Sequence, residues 1–329
     1  MKISTGIGGA AAGLAFALSA SFGFAQDRPD EITVAFFLEW PTANQIAQME
    51  GTYSEKMGVN VHWRAFGNGN EMSRAMASGD VQIAYSQGLV PYVVAVSGGL
   101  PLKLVGVAVS YAEADNCVVS DASGITRANA GDLEGRKVAT PIGNVTHYKL
   151  LRMLDHLGVD ASKVDMVQMT GADAAAALVR GDVVMGCAFG GPLRRMKETG
   201  KELMSAAEQE TIGIRLFDVV SVTEEFATKY PEMVRQFMQI SDAANKAYRT
   251  DPDKYVATIS KAAGMELAAT RDMLAMFSFP TAEEQASDAW LGGTVQDFTK
   301  QVADFFVAHG QMDKALDDYS GAIDASYLK

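Results

Sequence analysis

Long apolar runs are missing from most of this chain, and so is an excess of basic residues. Against 40 Asp and Glu there are only 28 Lys and Arg, which gives a net charge of −12. Proteins that bind nucleic acid carry basic patches, so this balance argues against a nucleic-acid partner. It does not argue against a small anionic ligand, because local dipoles can outweigh the global charge. Beyond residue 25 no stretch reaches the ~20 apolar residues of a membrane span.

Signatures of common catalytic and metal sites are also missing. The sequence contains no G-x-S-x-G elbow, no P-loop, no H-E-x-x-H and no paired C-x-x-C. His147 and His156 are nine residues apart, so they do not share a helix face as close metal ligands would. We therefore expect no metal site and no cofactor, and a protein that is not an enzyme.

The first 25 residues have the layout of a secretory signal peptide. They begin with a positive charge at Lys2, continue with an apolar stretch, and end with the small residues Gly23 and Ala25. The apolar stretch, roughly residues 10–20, is too short for a membrane anchor. We expect residues 1–25 to be removed and the mature chain to be exported and soluble. In an oxidising compartment the two cysteines, Cys117 and Cys187, are allowed but not required to pair.

The remaining pattern alternates between strands and helices, and it does so twice. "EITVAFFLEW", "VNVHWRAF", "VQIAYSQ" and "LKLVGVAV" are typical of strands separated by helical segments, and the alternation restarts at "NCVVSD". This order predicts two α/β lobes, each a parallel-type sheet flanked by helices. The expected boundaries are 26–115 for the first part of lobe 1, 116–217 for lobe 2, and 218–329 for the return to lobe 1 with C-terminal helices.

Four loops follow predicted strands, where open α/β sheets bind ligands. They are "LEWPT" (38–42), "SQG" (86–88), "GNVTHY" (143–148) and "FGGP" (189–192). Their chemistry suits a small zwitterion. The candidates are Glu39 and Trp40, Ser86 and Gln87, Asn144, Thr146 and His147, and Phe189, with Trp40 and Phe189 as walls and the neutral side chains as hydrogen-bonding groups.

The 143–148 loop and a further residue, Asp218, each have an ordinary interpretation as well as a functional one. "PIGNVTHYKLLRML" runs from a proline and a glycine into a helix, and Asn144 or Thr146 can cap that helix. The same backbone N–H groups could bind an anion. Asp218 stands in an otherwise apolar strand, where it is either a turn residue at the strand end or a carboxylate that binds a ligand ammonium.

Several segments in order resemble the periplasmic substrate-binding proteins of ABC importers for taurine, within the nitrate/sulfonate/bicarbonate-type group. The matching segments are "ASGDVQIAYSQGLVPYVVA", "DLEGRKVATPIGNVTHYKLLRML", "LVRGDVVMGCAFGGPL", "LFDVVSV", "FATKYPEMV" and "DYSGAIDASYL". The resemblance covers nearly the whole mature chain. It implies a two-lobe, type II (Venus-flytrap) periplasmic binding fold that clamps a ligand between the lobes.

The resemblance also implies roles for individual residues. Thr146 and the neighbouring N–H groups would bind the sulfonate and Asp218 the ammonium, while Gln87 and Asn116 fall at ligand-facing positions. Phe189 stands where the family often has a tryptophan, and Trp40 would compensate from the opposite lobe. The family's strand arrangement would bring Cys117 and Cys187 face to face, where they could form a disulfide.

The function implied by the resemblance is a monomeric periplasmic protein that captures taurine and delivers it to the permease subunits of an ABC importer. Three alternatives stay open at this point. One is another small sulfonate or zwitterion as the ligand, and the others are an exported enzyme or a sensor subunit on the same fold.

Overall fold

The computed structural model describes residues 1–3, 6 and 28–329. The expected signal peptide, residues 1–25, lies outside the described residues except at 1–3 and 6. Within the described part of the chain, no helix combines the length and the apolar character that crossing a membrane requires.

The described residues form eleven strands and fourteen α-helices. The strands are β1 Glu31–Phe37, β2 Asn60–Phe66, β3 Ile83–Gly88, β4 Leu102–Tyr111, β5 Asp115–Ser120, β6 Lys137–Thr140, β7 Asp165–Gln168, β8 Met185–Phe189, β9 Gly200–Glu202, β10 Leu216–Thr223 and β11 Phe277–Ser278. The first eight helices are α1 Gln45–Glu50, α2 Thr52–Met57, α3 Gly69–Ala77, α4 Leu89–Ser97, α5 Val145–His156, α6 Gly171–Arg180, α7 Gly190–Met196 and α8 Ala206–Thr211. The others are α9 Glu224–Lys229, α10 Pro231–Thr250, α11 Pro252–Ala263, α12 Leu267–Leu274, α13 Ala282–Gln285 and α14 Thr294–Ala308. Short 3₁₀ helices occur at Asp121–Ser123, Arg127–Leu133, Ala161–Lys163, Ser320–Ala322 and Ala325–Leu328.

The strands form two separate sheets. The first has the order β11-β4-β10-β3-β1-β2, and the second has the order β7-β6-β8-β5-β9. We call the part built on the first sheet the first lobe and the part built on the second sheet the second lobe. The chain crosses from one sheet to the other after β4 and returns before β10. The predicted two-lobe α/β architecture is therefore confirmed.

Both sheets are mixed, because the strand that follows each crossover runs against its neighbours. β10 is antiparallel to β3 and β4, and β5 is antiparallel to β8 and β9. The pairs β1–β2, β1–β3, β6–β7 and β6–β8 are parallel, as repeated strand–helix–strand units require. These reversed strands bring Asp218 on β10 and Asp115 on β5 to the edges where the two sheets face each other.

The helical segment between β1 and β2 is divided in two. The sequence from Thr42 to Gly58 forms α1 and α2, and Gly51 between them has φ 74°. This left-handed conformation ends α1, and glycine adopts it without the cost that a Cβ would add.

Helix α5 packs into the hydrophobic cores of both lobes. Leu150, Met153 and Leu154 belong to a core cluster of the second lobe. Val145 and Leu151 belong to the large cluster around the first sheet. The residues of one helix therefore contact both lobes, and its first turn lies where the lobes meet.

Cys117 and Cys187 lie opposite each other on β5 and β8, and the structure joins them in a disulfide. Both sulfurs are buried in a core cluster of the second lobe. The bridge links two strands of one sheet, so it constrains the second lobe and leaves the connection between the lobes free.

The disulfide is expected to stabilise the second lobe. Cross-linking residues 70 positions apart removes unfolded-state entropy worth about 4 kcal/mol on the chain-entropy model. Urea unfolding of the same protein with and without reductant measures this difference. Alkylation of the unreduced protein under denaturing conditions, followed by intact mass, should show no modified cysteine. Two modified cysteines would contradict the bridge.

Candidate ligand-binding cavity between the lobes

A narrow cavity lies between the two sheets. It is lined by Phe37, Trp40, Gly88, Tyr111, Asp115, Asn144, Val145, Phe189 and Asp218. These residues come from strand ends, strand starts and the first turn of α5, and both lobes contribute. The cavity is therefore where the topology places ligand-binding groups in open α/β sheets.

Asp218 is held on one side of the cavity by two hydroxyl groups. Ser86 Oγ donates to its Oδ2 at 2.7 Å, and Tyr111 Oη donates to its Oδ1 at 2.8 Å. Trp40 Nε1 in turn donates to Ser86 Oγ at 3.0 Å. Burial raises the pKa of Asp218 to about 7, against the effect of these hydrogen bonds.

Ser86 reaches Asp218 from an unusual backbone conformation. Its φ is 65°, in the left-handed region that residues with a Cβ rarely adopt. The pairing of β10 with β3 shifts register nearby, between Val219 and Val220. Strained backbone of this kind is concentrated at functional sites, where surrounding contacts maintain it.

Asp115 is a second buried carboxylate in the cavity, and it is not among the ligand-binding residues predicted from the sequence. Thr146 Oγ1 donates to its Oδ2 at 2.7 Å, whereas its Oδ1 is buried and has no hydrogen-bond partner among the described residues. Burial raises the pKa of Asp115 to about 6, and the nearby Lys149 opposes that shift. The signal that could have found it is the one that found Asp218, an acidic residue near the start of a buried strand.

The first turn of α5 supplies hydrogen-bond donors. Asn144 Oδ1 accepts the N–H of Val145 at 2.7 Å. This hydrogen bond fixes the orientation of the side-chain amide, so that Nδ2 is its donor atom. That Nδ2 is buried and has no acceptor among the residues that the structure describes. A buried donor at the positive end of a helix dipole is an environment that favours an anionic group.

Aromatic rings close the remaining sides. The Trp40 and Phe189 rings come from opposite lobes and meet with centroids 5.5 Å apart at an angle of 83°. Trp40 also packs edge-on against Tyr111 at 4.9 Å, and Phe37 packs against Phe189 at 5.3 Å. These walls exclude water, which strengthens every electrostatic contact inside.

Of the predicted ligand-binding residues, the structure brings six to this cavity. Trp40, Asn144, Phe189 and Asp218 line it, while Ser86 and Thr146 contact its two carboxylates. The Thr146 hydroxyl donates to Asp115 in this structure, and the anion contact expected of this residue and its neighbours stays a prediction.

The other four predicted residues make contacts elsewhere. Gln87 bonds to Gly69, Ser73 and Ser221 inside the first lobe. Asn116 bonds to the carbonyl oxygen of Met204, the N–H of Cys117 and Gln209 inside the second lobe.

The side chains of His147 and Glu39 form hydrogen bonds to other residues of the protein. The Nδ1 of His147 accepts the N–H of Gly143 at 3.1 Å, its ring packs near Phe306, and burial lowers its pKa to about 4. The Glu39 carboxylate is paired with Arg195.

No cluster of His, Cys, Asp or Glu suited to a metal ion occurs among the described residues. What the cavity offers is two carboxylates, an amide donor, a helix N-terminus and aromatic walls.

Comparison with protein-family models matches residues 43–255 to the family described as "NMT1/THI5 like". The chain belongs to the NMT1/THI5-like family. The match includes Ser86, Asp115, Asn144 and Asp218, so the family region contains most of the cavity.

This NMT1/THI5-like chain is similar to sulfonate-binding proteins. It is 29% identical over 304 residues to the taurine-binding periplasmic protein of Escherichia coli K12, which covers 91% of this chain and 92% of that protein. A putative aliphatic sulfonates-binding protein of the same organism is 32% identical over 135 residues, 41% of this chain and 40% of that protein.

Among solved structures, the alkanesulfonate-binding protein SsuA from Xanthomonas axonopodis pv. citri, bound to MOPS, has a TM-score of 0.73. It is 20% identical to this chain, and the match covers 90% of this chain and 98% of SsuA. This likeness confirms the two-lobe periplasmic binding fold.

The burial of Asp218 leads to a prediction about stability and pH. The ordinary pKa of Asp, ~3.9, applies to the unfolded chain, whereas the folded value is about 7. A raised folded pKa means that the protonated group stabilises the fold and that this contribution is lost as pH rises through 7. The Asn side chain of Asp218→Asn stays neutral at every pH. In the absence of ligand, the melting temperature of the variant minus that of the natural protein should therefore rise from pH 4 to pH 8.

Differential scanning calorimetry across that pH range measures the effect. Asp165→Asn, at an exposed position on the edge strand β7, is the matched control. A melting-temperature difference for Asp218→Asn that is flat with pH, like that of the control, would contradict the raised pKa.

Proposed function

We propose that this protein is an exported solute-binding protein whose ligand is a small zwitterionic sulfonate, with taurine as the leading candidate. One observation carries the proposal. Two residues that line the cavity each carry a buried polar atom with no partner among the described residues, the acceptor Asp115 Oδ1 and the donor Asn144 Nδ2. A ligand with a cationic donor at one end and an anionic acceptor at the other satisfies both.

The cationic end of such a ligand fits the two carboxylates. Asp218 and Asp115 line one small cavity, so an ammonium there can neutralise their mutual repulsion. A charge-assisted hydrogen bond of this kind contributes about 1.5–3 kcal/mol. A plain alkylsulfonate supplies no donor to either carboxylate and adds a further negative charge.

The anionic end fits the first turn of α5. Asn144 Nδ2 and the N-terminal end of the helix dipole both favour a sulfonate, as they favour any compact anion. A simple amine leaves this donor without a partner, which costs about 1–3 kcal/mol for a buried polar group. The preference for sulfonate over carboxylate rests on the similarity to the sulfonate-binding relatives.

Binding would couple the ligand to closure of the lobes. Asp218 and Trp40 belong to the first lobe, and Asp115, Asn144 and Phe189 belong to the second. A ligand that contacts both sets stabilises the closed arrangement over an open one by its differential affinity. The closed, ligand-loaded protein would then deliver the solute to the permease of an ABC importer, as a monomer in the periplasm.

A ligand panel tests the proposal. We expect taurine to raise the melting temperature and to bind in calorimetry, while ethanesulfonate and ethylamine, which each lack one end, bind at least tenfold more weakly. A ligand present at 100 times its dissociation constant should stabilise the protein by about 2.7 kcal/mol. Equal binding of taurine and ethanesulfonate would contradict the zwitterion, and preferential binding of β-alanine would replace sulfonate by carboxylate.

Asp218→Asn tests the ammonium contact directly. It should weaken taurine by roughly 5- to 15-fold, because a charge-assisted hydrogen bond becomes a neutral one, and it should change ethanesulfonate affinity much less. Titration calorimetry at pH 8 measures both ligands on both proteins. Equal losses for the two ligands would show that Asp218 does not contact the ammonium.

A further inference from the structure

The turn after β1 of the first lobe reaches across to α7 of the second lobe. The guanidinium of Arg195 and the carboxylate of Glu39 form a two-point contact, Nη1 to Oε1 at 2.8 Å and Nη2 to Oε2 at 3.1 Å. The backbone carbonyl of Glu39 also accepts the N–H of Gly191 at 3.3 Å. One residue of the first lobe is thus bound three times by a single short segment of the second.

Both backbones are shaped for this approach. Glu39 has φ 53°, a conformation unusual for a residue with a Cβ, and its N–H donates to the carbonyl of Ala263 at 2.8 Å. A Cβ on Gly190 would lie 2.4 Å from the Glu39 carbonyl oxygen, and one on Gly191 would lie 2.7–2.9 Å from the carboxyl group. Two successive glycines therefore permit a contact that any other residue would block.

The contact is directly attached to the cavity walls. Trp40 follows Glu39 in the chain, and Phe189 precedes Gly190. Those two rings meet across the cleft and line the cavity. Separation of Glu39 from Arg195 would therefore pull apart the two aromatic walls.

The pair also differs from the other ion pairs of the described chain. Among the described ion pairs between Arg or Lys and a carboxylate, only this one joins the first lobe to the second. Its side chains are 40% and 37% exposed, so it lies at the rim of the cleft.

We propose that Glu39 and Arg195 form a clasp between the lobes that holds the ligand cavity closed and slows release of the ligand. The two residues act as positioning residues, because they touch each other and carry the cavity walls with them. The clasp rests on the proposed function only for its effect on ligand release. Its effect on lobe closure can be measured without any ligand.

The test uses Arg195→Gln and Glu39→Gln, singly and together, with Arg194→Gln as the matched control. Arg194 precedes Arg195 on the same helix and pairs with Glu198 inside the second lobe. Circular dichroism and melting temperature establish that each variant folds. If Glu39→Gln fails to fold because of its strained turn, Arg195→Gln alone still tests whether the clasp exists.

Lobe closure is measured by electron–electron spin distances in the ligand-free protein, between labels at the exposed positions Ala77→Cys on α3 and Val179→Cys on α6. We expect Arg195→Gln and Glu39→Gln to shift the distance distribution towards longer values and Arg194→Gln to leave it unchanged. The double variant should match the single ones, because either change breaks the same contact.

Ligand release is measured by stopped-flow tryptophan fluorescence with taurine. The clasp variants should release it about two- to fivefold faster, as expected for a partly exposed ion pair. Raising NaCl from 0.05 to 0.5 M should speed release from the natural protein more than from Arg195→Gln. Distances and rates in Arg195→Gln equal to those in Arg194→Gln would overturn the clasp. Absence of taurine binding with the distance shift intact would overturn the proposed ligand and leave the clasp standing.

Discussion

The burial of two carboxyl groups in one cavity is the constraint that organises this site. An ionised carboxylate removed from water loses far more solvation than a few neutral hydrogen bonds return. The structure meets this cost for Asp218 with two hydroxyl donors, one of them on a residue with strained backbone. For Asp115 it meets the cost only in part, because one oxygen has no partner among the described residues. The incomplete satisfaction is what makes a cationic ligand favourable there.

The fold provides the cavity through the two reversed strands. A sheet of parallel strands alone would bring only backbone ends and helix starts to its edge. In each lobe the strand that enters after a crossover runs the other way, so its residues near the crossover lie beside the ends of the parallel strands. Asp218 pairs with Gly88 at the end of β3, and Asp115 pairs with Phe189 at the end of β8. An acidic group thus stands next to a helix start or an aromatic wall in both lobes.

Much of this could be predicted from the sequence, and what could not be predicted has one physical cause. Strand–helix alternation predicted the two lobes, and the position of loops after strands predicted Trp40, Asn144 and Phe189 as cavity residues. What pattern alone could not supply is which of two successive strand residues faces the cavity, since neighbouring side chains point to opposite faces. Ser86 reaches Asp218 whereas Gln87 bonds within the first lobe, and Asp115 lines the cavity whereas Asn116 bonds within the second. A strand register known only to within one residue does not decide between two such neighbours.

Helix α5 explains how a cavity between two mobile lobes can keep its geometry. Its Leu150 and Leu154 are packed in the second lobe, while Tyr148 packs edge-on against Phe305 of α14 in the C-terminal part of the first lobe at 5.2 Å. Because side chains in packed cores have discrete arrangements rather than continuous ones, the helix cannot slide freely against either lobe. The donors at its first turn are therefore held by packing in both lobes, whereas Trp40 and Phe189 meet across the cleft from separate lobes. In the proposed binding cycle, the anionic end of the ligand would therefore meet groups fixed by the packing of α5, and the aromatic walls around it would depend on closure of the lobes.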